Sequence, residues 1–313
     1  MKINFIFQIS LLISFLSFGQ EAELYQILPD WSVGDSKIVH VKSESVVYVG
    51  DTVFSRTNTE VKYKMEVIGT EDYFSLKYSQ LFSDFDVDLS EDNSTVENIV
   101  MTILKEIQSS IENYEYVVSV DKETGEAYEV QNEKAFLEFI EETMLQTLRL
   151  IGEQMGKSEE DFSMMKEMMG PFMKEQASAM IQTALNGVNY LLQAYSYSFP
   201  IEGEYRQSMM VNDLNAMGSF GDTDFPAVMV ISSEEKGDDM LIYKELLYDK
   251  EFLADKINEE SESLEINVDE FEVVEKESIR IDLNSTWIKN HYSEVIFIMP
   301  GIRVEENSRM TFK

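Results

Sequence analysis

The strongest constraint on the fold is a stretch in which apolar and polar residues alternate with a period of two. Between residues 61 and 67 the odd positions are apolar and the even positions are charged, as Val61, Tyr63, Met65 and Val67 against Lys62, Lys64 and Glu66. Successive side chains of a strand point to opposite faces, so this pattern is typical of strands with one buried face and one wet face. With turn signals at Gly50-Asp51 and at 69–72, it predicts an antiparallel meander over 37–82.

Helical spacing follows the meander. A capping box at 94–97 precedes apolar residues three and four apart up to Ile111, which predicts a helix over 96–111. A hairpin is expected at 116–120 and 127–130, around the turn Asp121–Gly125, where glycine can adopt the left-handed conformation. Residues 132–194 have helical periodicity, and Gly170-Pro171 separates two helices.

Period two returns after Tyr195, and strands are predicted at 227–231 and 240–247. A polar helix is expected over 250–261, followed by strands near 279–283, 295–299 and 310–312. The predicted fold class is therefore α+β, with an antiparallel β-sheet and an inserted helical block.

The two β-rich regions share an order of elements that ends in a turn opening with aspartate, at Asp121 and at Asp282. This order suggests two similar halves, and chance similarity between two α+β segments is the alternative. The predicted segments are a signal peptide at 1–19, a β-rich half at 20–131, a helical insertion at 132–194 and a second β-rich half at 195–313.

The first nineteen residues have the features of an export signal. Lys2 precedes an apolar run that ends in small residues at Ser17 and Gly19, which match a signal-peptidase site. An uncleaved anchor helix is the alternative, but the run is short and diluted by polar residues. Without a cysteine for lipid attachment, cleavage predicts a periplasmic or secreted product with no transmembrane anchor.

Composition excludes several classes of protein. Lys and Arg number 25 against 59 Asp and Glu, a net charge of −34, so phosphate backbones and anionic membrane surfaces would repel the chain. Nucleic acid is therefore not expected as a partner. With no cysteine and two histidines, a usual zinc site is not expected either. Phosphate-cradling glycine motifs are absent, and no cofactor is predicted.

An acidic run offers a candidate Ca²⁺ site, because carboxylates at every second position could converge on a hard cation. Its candidate ligands are Asp84, Asp86, Asp88 and Asp92. The residues that an EF-hand loop needs as glycine and glutamate are Leu89 and Thr95 here, so the alternative is a solvated acidic linker between a strand and a helix.

A methionine cluster offers a candidate apolar surface, formed by Met165, Met169, Met173 and Met180. Flexible thioether side chains suit adaptable cores and plastic binding surfaces. Thioether sulfur also suits Cu(I), and that alternative remains open.

The catalytic inventory is small. His40 and His291 both occur in strand-like contexts, and we expect each to be an exposed strand residue rather than a general base. Trp31 and Trp287 are expected to pack at structural corners. A pair of carboxylates could still serve a hydrolase, although no spacing selects one.

The exported N-terminus ending Ser17-Phe18-Gly19-Gln20, the alternating strands and the Asp121–Gly125 turn together resemble uncharacterised exported proteins of Gram-negative bacteria. The arrangement also resembles periplasmic carriers in which a curved antiparallel sheet wraps around helices. That resemblance implies a non-enzymatic extracytoplasmic protein that binds a lipophilic small molecule or another envelope protein. The alternatives are an assembly factor acting through the Met-rich helices and a carboxylate-based hydrolase.

Overall fold

The computed structural model describes residues 23–89, 112, 114–154, 162, 167, 179–211, 225–260 and 268–313. The predicted signal peptide, the predicted helix over 96–111 and the Gly170-Pro171 break lie outside these residues and stay predictions.

The dominant element is an eleven-stranded sheet in which every neighbouring pair is antiparallel. Its first five strands are β2 Ser36–Val49, β3 Thr52–Gly69, β4 Phe74–Leu89, β5 Glu115–Val120 and β6 Ala127–Val130. The other six are β8 Glu204–Val211, β9 Phe225–Lys236, β10 Asp239–Tyr248, β11 Glu272–Asp282, β12 Ile288–Met299 and β13 Ile302–Phe312.

The spatial order of the sheet is β6-β5-β4-β3-β2-β13-β12-β11-β10-β9-β8. Each half is a meander, and the two meanders join where β13 pairs with β2, with Phe312 opposite Val39 and Ile302 opposite Val49. The outermost strands, β6 and β8, each pair on one side only among the described residues.

Helices and one small sheet complete the described structure. The helices are α1 Glu133–Gln154, α2 over 179–192 and α3 Lys250–Glu260. Short 3₁₀ turns lie at Gln193–Ser196 and Val268–Glu270, and β1 Leu24–Tyr25 pairs with β7 Phe199–Pro200. In the described part of the chain no helix is long and apolar enough to cross a membrane.

The predicted meander, the hairpin around Asp121–Gly125 and the helix at 250–261 are confirmed. Most strands run further than the alternation indicated, because polar residues occupy both faces at their ends. The acidic run is one such case: β4 continues through it to Leu89, so the expected linker is wrong up to that residue. Strands β1, β7 and β8 were not expected.

One face of the sheet, here the inner face, carries two separate apolar cores. The larger one packs α1 and α2 against β2–β6 and the adjoining ends of β9–β13, with Val39, Met65, Leu76, Val118 and Val188 almost fully buried. The smaller one packs α3 against the other ends of the C-terminal strands, around Leu253, Phe271 and Phe297. Burial of these apolar side chains is the main term holding helices to sheet.

The two aspartate turns have the same hydrogen-bond pattern. Asp121 Oδ1 accepts the backbone N–H groups two and three residues on, at 2.7 and 2.9 Å, and Asp282 Oδ1 does so at 2.9 and 3.1 Å. The fifth residue of each turn has a positive φ, 74° at Gly125 and 56° at Thr286. Aspartate favours such turns because its side chain bonds to nearby backbone N–H groups.

Tyr195 lies against both turns. Its hydroxyl donates to the Thr286 carbonyl oxygen at 2.7 Å, and a Cβ built on Gly125 would lie 2.4 Å from the Cβ of Tyr195. Trp31 stacks on Trp287 with ring centroids 4.4 Å apart and meets the Tyr195 ring edge-on. Both tryptophans are 4% exposed, which confirms that they are packing residues.

We expect Gly125→Ala to be more destabilising than Gly237→Ala. Both glycines have positive φ, so each substitution costs about 1 kcal/mol of backbone strain. Only at Gly125 does the new methyl group also collide with the Cβ of the fully buried Tyr195, which adds an overpacking cost of about 1–3 kcal/mol. Urea denaturation of the two variants measures the difference, and equal midpoints would contradict the close packing of Tyr195 on this turn.

Candidate functional site: a polar cavity on the inner face

A band of polar side chains separates the two apolar cores. Strand register places these residues in adjoining rows of the inner face across β3, β2, β13, β12 and β11. We call this set the polar belt: Ser43, Ser45, Thr57, Thr59, Glu275, Glu277, Ser293, Glu306 and Ser308. Polar groups on the buried side of a sheet are costly unless they bond to protein, water or ligand, so the belt marks this surface as unusual.

The polar belt lines a cavity of about 590 Å³. Tyr190, at the C-terminal end of α2, and Gln193, in the following 3₁₀ turn, line it from the helical side, while Val41 and Val295 add apolar wall from the sheet. The volume is within the range of small-molecule sites, about 300–1,000 Å³.

A buried ion-pair network forms one side of the cavity. Lys244 Nζ lies 2.8 Å from Glu277 Oε1, and His291 Nε2 lies 3.4 Å from Glu277 Oε2. Tyr197 donates its hydroxyl to Glu277 Oε2 at 3.0 Å, and Gln193 Nε2 lies 3.2 Å from His291 Nε2. The network therefore fixes the segment after α2 to β10, β11 and β12.

The network keeps its central charges ionised despite burial. Burial opposes ionisation of Glu277, but the hydrogen bond from His291 and the charge and hydrogen bond of Lys244 outweigh it and lower the Glu277 pKa to about 2. Burial likewise opposes the charge of Lys244, but Tyr197 and Glu277 outweigh it and raise the Lys244 pKa.

Glu306 has a different environment on the opposite side of the cavity. Among the described residues it has no basic partner within 4 Å, and its carboxylate accepts a hydrogen bond from the Ser45 hydroxyl at 3.3 Å. Burial raises the pKa of Glu306, and the Ser45 hydroxyl opposes this only in part. Two carboxyl groups that line one cavity thus have pKa values shifted in opposite directions.

The position of His291 differs from the expectation. Its side chain is 4% exposed and hydrogen-bonded, so the prediction of an exposed strand residue is wrong for it. The sequence did carry a signal for this region. Val273, Glu275, Glu277, Ile279 and Ile281 share one face of β11, so two carboxylates interrupt an apolar row. The side chain of His40, in contrast, is partly exposed, and its Nε2 lies 2.7 Å from Glu60 Oε1.

The predicted calcium ligands lie on the other face of the sheet. Asp84, Asp86 and Asp88 alternate along β4 and are opposite Glu60, Asn58 and Arg56 of β3. An extended strand holds alternate residues about 6.6 Å apart rather than wrapping them around an ion. Among the described residues no group of three or more acidic or histidine side chains is placed to hold a metal ion. Asp92 lies outside the described residues.

Of the predicted methionine surface, the structure describes only Met180, which is 38% exposed at the start of α2. Met165, Met169 and Met173 lie outside the described residues, so this surface and its Cu(I) alternative stay predictions.

Comparison with known proteins identifies no family, since neither a family model nor a curated protein matches the chain. Among solved structures, a lipovitellin structure described by its lipid–protein interactions has a TM-score of 0.44 and 8% identity, covering 91% of this chain and 25% of its own. This chain thus spans about a quarter of the length of lipovitellin. An outer membrane channel from Pseudomonas putida F1 has a TM-score of 0.23 and 7% identity. That match covers 91% of this chain and 98% of the channel chain. Likenesses this low do not bear on the function.

Glu277→Gln should destabilise the protein by about 3–5 kcal/mol, because it leaves the buried Lys244 charge without its carboxylate. Glu138→Gln is the matched control: Glu138 pairs with Lys134 at 3.7 Å on an exposed helix face, where a pair is worth about 0.5 kcal/mol or less. Adding Lys244→Met to Glu277→Gln should recover part of the loss. Urea denaturation at pH 7 measures all three.

The stability gap between wild type and Glu277→Gln should also depend on pH. The folded-state pKa of about 2 lies below the ordinary value of 4.5, so this carboxylate stabilises the fold above pH 4.5. That contribution disappears as the pH falls from 4.5 towards 2. Denaturation series across this window should show the gap narrowing, and a gap independent of pH would contradict the ion pairing.

Proposed function

We propose that this protein is a non-enzymatic, extracytoplasmic ligand-binding protein whose ligand occupies the inner-face cavity. The observation that carries the proposal is a partly open cavity of about 590 Å³ with a polar wall, located between two apolar cores. Apolar side chains at these positions would have joined the two cores into one. A polar wall at that point instead presents hydroxyl and carboxylate groups to a bound molecule.

The wall restricts the chemistry of the ligand. No described base lines the cavity, and Lys244 is paired with its Glu277, while Glu275 and Glu306 add negative charge. An anionic group would therefore be repelled, and the ligand's polar part is uncharged or cationic. Apolar contact comes from Val41, Val295 and Tyr190. The lipophilic ligand expected from the sequence is accordingly refined to an amphiphilic one, with polar groups that bond to the belt.

The proposal also includes an extracytoplasmic location and a chain built of two similar β-rich halves. An extracytoplasmic setting is supported by Lys2, the apolar run and the small residues at 17 and 19. The identical bonding of the Asp121 and Asp282 turns supports two similar β-rich halves with the helical block inserted between them.

The binding proposal predicts that a small molecule copurifies with the protein and that filling the cavity displaces it. Native mass spectrometry of the wild type should show a bound mass that solvent extraction releases. Ser308→Leu places a larger side chain in the cavity and should lose that mass. Thr311→Leu is the control, since it makes a similar change on the outer face of the same strand. A wild type that is free of any ligand, or a mass retained by Ser308→Leu, would contradict the proposal.

One observation favours a second candidate, a carboxylate-based hydrolase. Glu306, with a raised pKa, and Glu277, with a pKa of about 2, line one cavity, and acid–base catalysis uses carboxyl pairs of this kind. Glu306 would be the general acid and Glu277 the ionised partner. Hydrolysis of aryl glycosides by the wild type that Glu306→Gln abolishes, without a change in melting temperature, would favour this candidate over simple binding.

A further inference from the structure

A second concave surface lies on the outer face, opposite the polar belt. We call it the outer groove. It has a volume of about 450 Å³ and is formed where β12, β13, β2, β3 and β4 lie side by side. Strand register places its outward side chains in two rows. One row runs Tyr292, Arg309, Lys42, Glu60, Asp84, and the next runs Asn307, Glu44, Asn58, Asp86.

Tyr292 gives the groove an aromatic platform. Its hydroxyl donates to Asn307 Oδ1 on the neighbouring strand at 3.0 Å, and the side chain is 40% exposed. The ring is therefore held across the sheet towards β13 instead of projecting freely into solvent. An aromatic side chain fixed in place loses little conformational freedom when a ligand stacks on it.

The polar groups of the groove are suited to hydroxyl groups. The Asn58 amide can both donate and accept. Asp84 and Asp86 form no ion pair with any described base, so their oxygens can accept hydrogen bonds. Arg309 likewise has no acidic partner within 4 Å in the described part of the chain, and its guanidinium can donate. Adjoining donors and acceptors beside a ring face are the pattern that a sugar ring requires, because its hydroxyls do both and its C–H face is apolar.

A second ring extends the same line. Tyr243, Ser278 and Tyr292 are consecutive partners on β10, β11 and β12, so the two tyrosines lie about 10 Å apart. Tyr243 is 45% exposed, and the small side chain of Ser278 leaves the space between the rings open. Two exposed rings in line with a groove suit an extended chain of sugar units better than one compact molecule.

We propose that the outer groove and the Tyr243–Tyr292 row bind a neutral polysaccharide. Its sugar rings stack on the tyrosines, since the electron-rich ring face attracts the positive edges of C–H bonds, and its hydroxyls bond to Asn58, Asp84, Asp86 and Arg309. The net charge of −34 disfavours an anionic polymer, and the charged rows of the groove disfavour an apolar one. This inference does not depend on the inner-face ligand.

Sedimentation with insoluble neutral polysaccharides tests the proposal, using cellulose, chitin, curdlan and starch granules as probes. At least one should retain the wild type, and Tyr292→Ala should weaken that retention by about tenfold. Tyr128→Ala is the matched control, since Tyr128 is 51% exposed on β6 at the far edge of the sheet, and its retention should be unchanged. Thermal melts verify that both variants are folded.

The results that would overturn the proposal are specific. They are no retention by any of the four probes, equal retention of Tyr292→Ala and wild type, or stronger binding to alginate, an anionic polysaccharide, than to the neutral probes. Ser45→Leu, which fills the inner cavity at a residue that does not line the outer groove, should be retained like the wild type. Loss of binding in that variant would assign the sugar to the inner cavity and overturn the outer-face site.

Discussion

The pairing of β13 with β2 is the interaction on which the rest of the structure depends. Eleven residue pairs in regular antiparallel register connect two meanders that the helical segments separate in the sequence. Without that pairing, β2 and β13 would each have an open edge, and the large core would lose the contribution of Met310 and Phe312 from the C-terminal half. The polar belt also crosses this junction, with Ser43 and Ser45 on one side and Glu306 and Ser308 on the other. Both the fold and the inner cavity therefore require the two halves to be joined.

The apolar and polar surfaces of this sheet lie at different positions along the same strands, and not in separate domains. On the inner face, apolar residues at both ends of the strands hold helices, and polar residues in the middle leave a cavity. On the outer face, the same central strands carry charged and amide side chains together with Tyr292. A single set of strands thus presents two surfaces of different chemistry, because alternation sends neighbouring residues to opposite faces.

Much of the architecture was readable from the sequence. Strict alternation in 61–67 and 74–78, and the aspartate-to-glycine turn, located the strands and hairpin that the structure shows. Alternation cannot show which distant strands become neighbours, so the β13–β2 junction was not foreseen. The buried network was missed for a similar reason: Lys244, Glu277 and His291 come from three strands, and alternation within one strand does not show which residues of other strands will lie beside it. Strand β8 was missed because its alternation is broken by Gln207 in the apolar row and Met210 in the polar row.

The junction also affects how this chain can fold. In a simple meander each strand pairs with the one made just before it, but β2 receives its second neighbour only after the helical segments and six further strands exist. Contacts between such distant segments must overcome a large loop-closure entropy, which slows folding. Until β13 arrives, β2 presents an unpaired strand edge of fourteen residues, and such an edge invites pairing with other chains. The high density of negative charge opposes that encounter, because two unfinished copies repel each other.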